Sequence, residues 1–307
     1  MGMHRLSRVI IGVPDLEANT AYYTQFGLDH RGDGVFATQD GGEQLRLVRT
    51  PTRRLVGLGI GVDDFDDIAR VAARLDKLGV SYDLDGTGLC TTEPLSGAVV
   101  RVEIAPRIVQ RAVSPTLYNW PGRIDRTGRA PGVLRETPVR PKKLGHTVIG
   151  TTDLPATMGF FTEGLGFEIS DHISDRGVFM RCSTDHHNLL ALAAPVNFLH
   201  HTSWQVDDID DVGRGATHML EGHPERHVWG LGRHHAGSNF FWYLKDPAGN
   251  FSEYYSDMDS ILDDQLWQPE VFEGAQGLFS WGPPPPPSFL EPEDLAALMT
   301  GQHSARA

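Results

Sequence analysis

The segment from 240 to 255 places a single acidic residue among aromatic ones. Its first arm, FFWYL, is rich in residues that strands favour, and its second arm, NFSEYY, contains Glu253. The intervening DPAG, residues 246–249, predicts a turn because Pro presets φ and Gly tolerates positive φ. Alternation puts Glu253 on one face with Phe251 and Tyr255. Burying an unpaired carboxylate is costly, so Glu253 needs a partner, unless it is an edge-strand residue that faces water.

The histidines that could supply this partner are unevenly distributed. Eleven of the fourteen lie between residues 146 and 235. Surface histidines have no physical reason to cluster, whereas imidazole is the commonest metal ligand and a frequent general base. Any one histidine is more often an ordinary core or surface residue, so its position on a strand must decide its role.

A strand predicted over residues 199–206 carries two adjacent histidines, His200 and His201. One face of this strand carries His201 with polar neighbours, and the other carries Trp204, which belongs under the helix that follows. His201 is therefore expected to point to the concave, polar side. His200 is expected to be a strand-edge residue that is solvated or hydrogen-bonded locally.

Internal repeats indicate how these strands are arranged. Residues 6–29 and 144–168 both have a β-branched strand, a turn ending in Asp-Leu, a helix with an aromatic pair, then Gly and a new strand. Residues 56–80 and 201–225 share a second pattern, in which a strand runs into Asp-Asp and a helix. Short alternating runs lie between the helices. The unit is a strand, a helix and several strands, and four such units predict an α+β fold with two domains.

The repeats place three candidate ligands on neighbouring strands. His146 and His201 hold equivalent positions in two units, and Glu253 lies on the last strand of its unit. Two imidazoles and one carboxylate on one concave sheet form a facial triad, which suits non-haem Fe(II) and, next, Mn(II). Zinc usually takes a tighter set that is richer in nitrogen or sulfur.

The first half of the chain provides an internal control. Arg8 is equivalent to His146, Gly57 is equivalent to His201, and Arg101 stands near the position of Glu253, with Glu103 two residues further on. Such a set cannot bind a metal cation. The sequence therefore predicts a duplicated fold with one metal-binding half and one half without a site.

Composition limits the classes of partner. The 307-residue chain has a net charge of −13, which disfavours binding to nucleic acid and favours a small ligand. Two cysteines are too few for a disulfide framework, and no run is long enough to span a bilayer. No signal peptide is evident, so we expect a cytoplasmic protein without a membrane partner.

Proline and glycine mark the boundaries of the domains. The predicted parts are an N-terminal domain without a metal site, a linker, a C-terminal catalytic domain and a Pro-rich tail, at residues 1–107, 108–141, 142–258 and 259–307. In the tail, the proline run at 283–287 predicts an extended spacer, and 291–299 predicts a short helix. The aromatic residues before them are expected to dock on the body of the protein.

These residues resemble a known family. LGHTV, LHHTSWQV and GRHHAGSNFFWYLKDPAGNFSEYY are similar to the motif blocks of the type I extradiol ring-cleavage dioxygenases, within the vicinal oxygen chelate superfamily that includes glyoxalase and bleomycin resistance proteins. The resemblance covers about 4–258. It implies four βαβββ modules paired into two open barrels.

The resemblance also implies roles for individual residues. His146, His201 and Glu253 correspond to the Fe(II) ligands. HHNLLALAA is similar to the block with the catalytic histidine, and spacing selects His187 over His186. The catalytic set is completed by a second-sphere histidine and an active-site tyrosine, His234 and Tyr243.

The implied activity is extradiol cleavage of a catechol-type diol with O₂ in aromatic catabolism. A mono-ring, biaryl or fused-ring diol fits equally, Mn(II) is the alternative to Fe(II), and the resemblance implies a homo-oligomer. Two rivals share the fold: glyoxalase-type isomerases or lyases, which generally need four ligands, and metal-free proteins that bind drugs.

Overall fold

The computed structural model describes residues 2–114 and 116–299, and its first half forms one sheet. Strand β1 precedes helix α1, and β5 precedes α2, in two copies of the same unit. The elements are β1 (Met3–Val13), α1 (Leu16–Gln25), β2 (Asp29–Gly32), β3 (Val35–Thr38), β4 (Gly42–Arg49), β5 (Arg54–Val62), α2 (Phe65–Leu78), β6 (Tyr82–Asp85), β7 (Gly88–Thr92) and β8 (Val99–Ile104).

The second half repeats this order after a connection that contains the single turn α3 (Pro131–Leu134). Its elements are β9 (Lys143–Thr151), α4 (Leu154–Gly159) with a π-helical continuation (Phe160–Leu165), β10 (Glu168–Ile173), β11 (Gly177–Arg181), β12 (Leu189–Ala193), β13 (Phe198–Gln205), α5 (Ile209–Leu220), a 3₁₀ turn (Pro224–Arg226), β14 (His227–Arg233), β15 (Phe240–Lys245) and β16 (Phe251–Ser256).

The order of strands confirms the four βαβββ modules. The first sheet has the order β2-β3-β4-β1-β5-β8-β7-β6, and the second has β14-β15-β16-β13-β9-β12-β11-β10. In each sheet the first strands of two modules pair antiparallel at the centre, as β1 with β5 and β9 with β13. The predicted α+β fold with paired modules is therefore confirmed.

Helix ends follow the local sequence. Asp15 and Asp153 cap α1 and α4, since each carboxylate accepts a hydrogen bond from a backbone N–H of the first turn. Trp204 is fully buried on the apolar face of β13, as predicted. Within the described ranges, no helix combines the length and apolarity that a bilayer crossing requires.

The two halves share one apolar core. The ring of Phe26 from the first half stacks on Tyr254 of β16, with the ring centroids 3.9 Å apart. Tyr254 Oη donates to the carbonyl of Phe26 at 2.7 Å, and Tyr22 Oη lies 2.5 Å from Ser252 Oγ. The helix of the first module thus buttresses the strand that carries Glu253, while the proposed domain boundaries stay a prediction.

The register of the first sheet identifies the counterpart of the metal site. Gly59 lies opposite both Arg8 and Arg101, just as Ser203 lies opposite both His146 and Glu253 in the second sheet. Glu103 lies 3.3 Å from the guanidinium of Arg8 and 3.4 Å from that of Arg101. Ion pairs therefore occupy the position in the first half that corresponds to the predicted ligands of the second half.

The tail packs against the second half. It contains β17 (Val271–Phe272), a 3₁₀ turn (Gly274–Gly277), α6 (Pro287–Leu290) and α7 (Leu295–Ala297). Strand β17 adds to the edge of the second sheet beside β10, and Trp267 Nε1 donates to the carbonyl of Ser170 at 2.7 Å. Docking of the tail aromatics is thereby confirmed.

The helix predicted over 291–299 is wrong in its extent. Helix α6 ends at Leu290, before this segment, and α7 (Leu295–Ala297) covers only part of it, while Glu291 has a non-helical ψ of 85°. A proline disfavours the helical conformation of the residue before it, which explains the break. The residues from 300 to 307 lie outside the described part of the chain.

Candidate metal centre

Three adjacent strands bring the predicted ligands together. In the order β16-β13-β9, Ser203 of the central strand lies opposite Glu253 on one side and His146 on the other. His201 stands two residues earlier on the same strand, and hence on the same face. One atom from each of these three side chains lies within 4.8 Å of the others.

The distances suit a shared divalent ion. His146 Nε2 lies 3.1 Å from Glu253 Oε2, and His201 Nε2 lies 3.6 Å from the same oxygen. Neighbouring ligand atoms that each bind one octahedral ion at about 2.1 Å are roughly 3 Å apart. The spacing is therefore that of ligands around one ion.

Unpaired buried atoms make the same case. His201 Nε2 and Glu253 Oε2 are buried and have no hydrogen-bond partner in the described structure. The other oxygen, Glu253 Oε1, accepts a hydrogen bond from Asn239 Nδ2 at 3.2 Å, which orients the carboxylate. Buried polar atoms without partners are costly, and a cation between them removes that cost. The side chains thus fit an Fe(II) or Mn(II) ion.

The electrostatics keep the ligand groups in their binding forms. Burial alone would raise the pKa of Glu253, but the imidazoles of His146 and His234 beside it hold that pKa well below its usual range. Burial and the neighbouring His200 lower the pKa of His201 well below its usual value. A carboxylate and a neutral imidazole are the forms that bind metal.

His187 lies beside the triad, at the wall of the same cavity. Its ring centroid is 4.2 Å from that of His146. Burial, followed by the charges of neighbouring histidines, lowers its pKa well below the usual value, so the ring is neutral at pH 7. Its Nδ1 faces His186 Nδ1 at 3.0 Å, which leaves Nε2 for a bound molecule.

His186 lies behind His187 and not in the cavity wall. Its Nε2 is 2.7 Å from Asp171 Oδ2, and both side chains are buried. Because Asp171 is an acceptor, His186 carries its proton on Nε2 and accepts one on Nδ1 from His187. The structure thus places His187 where the sequence predicts the catalytic histidine, and its role there stays a prediction.

His234 and Tyr243 form a hydrogen-bonded pair at the opposite wall. His234 Nε2 lies 2.8 Å from Tyr243 Oη, and His234 Nδ1 bonds with the carbonyl of Leu278. Tyr243 is opposite Glu253 in the register of β15 and β16. Burial, reinforced by the charge of Glu253, raises the pKa of Tyr243 well above its usual value. The phenol therefore stays protonated and can donate a hydrogen bond.

Comparisons with known proteins agree with this geometry. Residues 143–254 match the family model described as Glyoxalase/Bleomycin resistance protein/Dioxygenase superfamily. The second half of the chain is therefore similar to this superfamily. The matched residues include His146, His201 and Glu253, so the segment that is similar to the superfamily contains all three candidate ligands.

Relatives extend over nearly the whole chain. Metapyrocatechase 2 of Cupriavidus necator is 29% identical over 302 residues, which cover 94% of this chain and 92% of the relative. The 3-methylcatechol 2,3-dioxygenase of Pseudomonas putida is 24% identical, covering 83% of this chain and 90% of the relative. The crystal structure of a Mn(II)-bound glyoxalase from Novosphingobium aromaticivorans is 26% identical, with a TM-score of 0.74 and coverage of 92% and 93%.

The expectation for His200 is wrong. The side chain is 1% exposed and lines the cavity, and its Nε2 donates to the carbonyl of Phe289 at 2.5 Å. A register shift between Leu199 and His201 in the pairing of β13 with β9 breaks strict alternation. The bond joins residues 89 positions apart, and no local sequence pattern could have predicted it.

His200 sets the tautomer of His201. The two Nδ1 atoms lie 2.7 Å apart, and the donor role of His200 Nε2 makes His200 Nδ1 an acceptor. His201 then carries its proton on Nδ1 and presents Nε2 to the ion. Burial, with a smaller effect from Arg53, lowers the pKa of His200 to about 4, in keeping with a neutral ring.

Replacing His200 tests this arrangement. In His200→Phe the ring volume is kept but the acceptor for His201 is lost, and we expect about a 10–100-fold weaker affinity for the metal. Competition with a chelator measures this affinity. The control is His235→Phe, which replaces a histidine whose ring packs against Phe272. This variant should bind metal as tightly as the parent. Equal affinities in both variants would contradict the assignment.

Proposed function

We propose that this protein is an extradiol dioxygenase, which cleaves a catechol-type diol with O₂ beside the two hydroxyls. This assignment rests on the grouping of three ligand atoms and on the neutral imidazole of His187 beside them. A facial triad leaves positions free for both a diol and O₂, which a closed four-ligand set does not. The named activities of the relatives from C. necator and P. putida support the same reaction.

The metal is Fe(II), with Mn(II) the alternative that the same ligands accept. His146, His201 and Glu253 would hold it. When bound, such an ion acts as a Lewis acid that lowers the pKa of a coordinated hydroxyl. The carboxylate of Glu253 and two neutral imidazoles leave a net positive site, which favours a diol that has lost a proton.

His187 is the group placed to handle the protons. Its Nδ1–H is directed to His186, so Nε2 is an acceptor for a proton of the diol and later returns it as the ring opens. Tyr243 Oη, which donates to His234 Nε2, would orient a substrate hydroxyl by accepting its hydrogen bond, and His234 would hold Tyr243 in place. The cavity between them excludes bulk water from these groups.

A glyoxalase-type isomerase is the second candidate, favoured by the similarity to the Mn(II)-bound glyoxalase from N. aromaticivorans. Only three candidate ligands meet in the described residues, whereas isomerases of that type generally need four. Proton transfer alone would need no O₂. Oxygen consumption therefore separates the two reactions.

The test uses the full chain loaded anaerobically with Fe(II) and, separately, with Mn(II). Adding catechol or 3-methylcatechol under air should consume one O₂ per diol and give the yellow ring-opened semialdehyde. Methylglyoxal with glutathione should give no thioester. Formation of the thioester, together with no O₂ uptake on any diol, would overturn the proposal.

We also propose a cytoplasmic homo-oligomer. Cys90 and Cys182 are both free thiols, as expected in a reducing compartment. The assembly follows from the family resemblance, and light scattering on the purified protein measures it. Cell fractionation tests the location.

A further inference from the structure

The cavity at the metal centre has one polar end and an apolar remainder. Five histidines and Tyr243 form the polar end. The rest is formed mainly by aliphatic and aromatic side chains, among them Val148, Phe179, Leu190 and Phe289. If the two hydroxyls of a diol are held at the polar end, the opposite edge of its ring must therefore face an apolar surface.

No cation lines this apolar part. Among the described residues, neither Lys nor Arg contributes to the cavity wall. A carboxylate carried into such a wall loses its water and gains no partner, which is strongly unfavourable. The wall thus favours an uncharged substituent on the ring and rejects an anionic one.

The tail provides the part of the cavity wall that limits the size of the substrate. The Phe289 ring lies 4.7 Å from Tyr243, 4.8 Å from Trp229 and 5.9 Å from Phe251, between centroids. The side chain is 5% exposed, so it is packed as a core residue although it belongs to the tail. Its position therefore bounds the space beyond the diol.

An ion pair from the first half of the chain fixes this tail segment. Arg53 Nε and Nη2 bond with the carboxylate of Asp294 at 2.6 and 2.8 Å. Arg53 Nη1 also donates to the carbonyl of Leu199, just before the two histidines of β13. Two parallel bonds give the pair a defined geometry. Phe289 is thus held in place relative to the metal ligands.

The remaining space is small. The cavity has a volume of about 50 Å³, against about 510 Å³ for the cleft lined by His4 and Asp185. Sites for drug-sized ligands usually enclose roughly 300–1,000 Å³. A cavity of this size leaves no room for a second ring beyond the diol.

We propose that the substrate is a mono-ring diol with a small, uncharged, apolar substituent, and that Phe289 sets the upper limit on its size. This inference rests on the proposed ring-cleavage function and narrows its substrate class. It excludes catechols with a carboxylate on the ring, and biaryl diols while Phe289 is present.

The charge is tested with diols matched in ring position. Anaerobic calorimetry on the Fe(II)-loaded full chain compares 3-methylcatechol with 2,3-dihydroxybenzoate, and 4-methylcatechol with 3,4-dihydroxybenzoate. We expect each acid to bind about 100-fold or more weakly than its methyl partner. Equal binding of acid and methyl diols would overturn the inference while leaving ring cleavage intact. Failure of every diol to bind or be cleaved would instead refute the proposed function.

The size limit is tested at Phe289. In Phe289→Ala, kcat/KM for 2,3-dihydroxybiphenyl relative to 3-methylcatechol should rise about tenfold or more, since a ring-sized space opens. Phe279→Ala removes a tail phenylalanine that contacts Trp229 outside the cavity, and the ratio should not change. Phe289→Leu, which disturbs the packing less, should shift the ratio in the same direction. An unchanged ratio in both Phe289 variants would overturn the size limit.

Discussion

His201→Ala is expected to lose bound metal and, with it, ring cleavage. The substitution removes one of three ligand atoms, and Glu253 Oε2, which has no hydrogen-bond partner, stays buried at a site that holds the ion less tightly. Because loss of a residue outside the ligand set already costs about 10–100-fold in affinity, loss of a ligand should cost more than about 100-fold. Metal content after gel filtration, measured by elemental analysis, checks this.

The control for this variant must be a histidine in the same sheet. His172 lies on β10, is half-buried, and does not line the cavity. We expect His172→Ala to retain metal at the parental ratio. Circular dichroism should show that both variants are folded. Retention of metal by folded His201→Ala at parental affinity would contradict the assignment of the ligands.

The ligand set could be predicted because local and repeated patterns both point to it. Glu253 follows a DPAG turn on an aromatic hairpin, and the structure has that hairpin as β15 and β16. His146 and His201 were placed by module equivalence, which the matching register of Ser203 and Gly59 explains. Strand alternation and duplication are properties of short segments, so both can be recognised directly in the sequence.

The walls of the cavity could not be predicted for the opposite reason. The carbonyl partners of His200 and His234, which are Phe289 and Leu278, belong to the tail and are 89 and 44 residues away. The salt bridge of Arg53 with Asp294 spans 241 residues. These contacts depend on how the tail returns to the body, and no periodicity in the chain encodes that return.

The expectation for His200 failed at a single irregularity. Strict alternation would direct His200 and His201 to opposite faces, but the register shift after Leu199 lets both rings line the cavity. The adjacent pair His186 and His187 shows the same Nδ1-to-Nδ1 contact, with Asp171 in place of the carbonyl of Phe289. In both pairs the first histidine in the sequence therefore orients the second one. Only the structure shows this relation.

His187→Ala is expected to keep its metal and lose turnover. His187 is not among the three grouped ligands, so the metal content should match that of the parent. Removal of a general acid or base typically lowers a rate by about 10²–10⁴-fold, and kcat should fall by this amount. KM for the diol should change less, because the three side chains that bind the metal, and through it the diol, are unchanged.

Measuring both variants in parallel separates the two roles. Metal analysis and stopped-flow oxygen uptake are made on the same preparations of His187→Ala and His201→Ala, with His172→Ala as the shared control. His187→Gln, which keeps a hydrogen-bonding side chain but cannot take up a proton, should be as slow as His187→Ala. Loss of metal from His187→Ala equal to that from His201→Ala would show that His187 is a ligand and remove the proposed base from the mechanism.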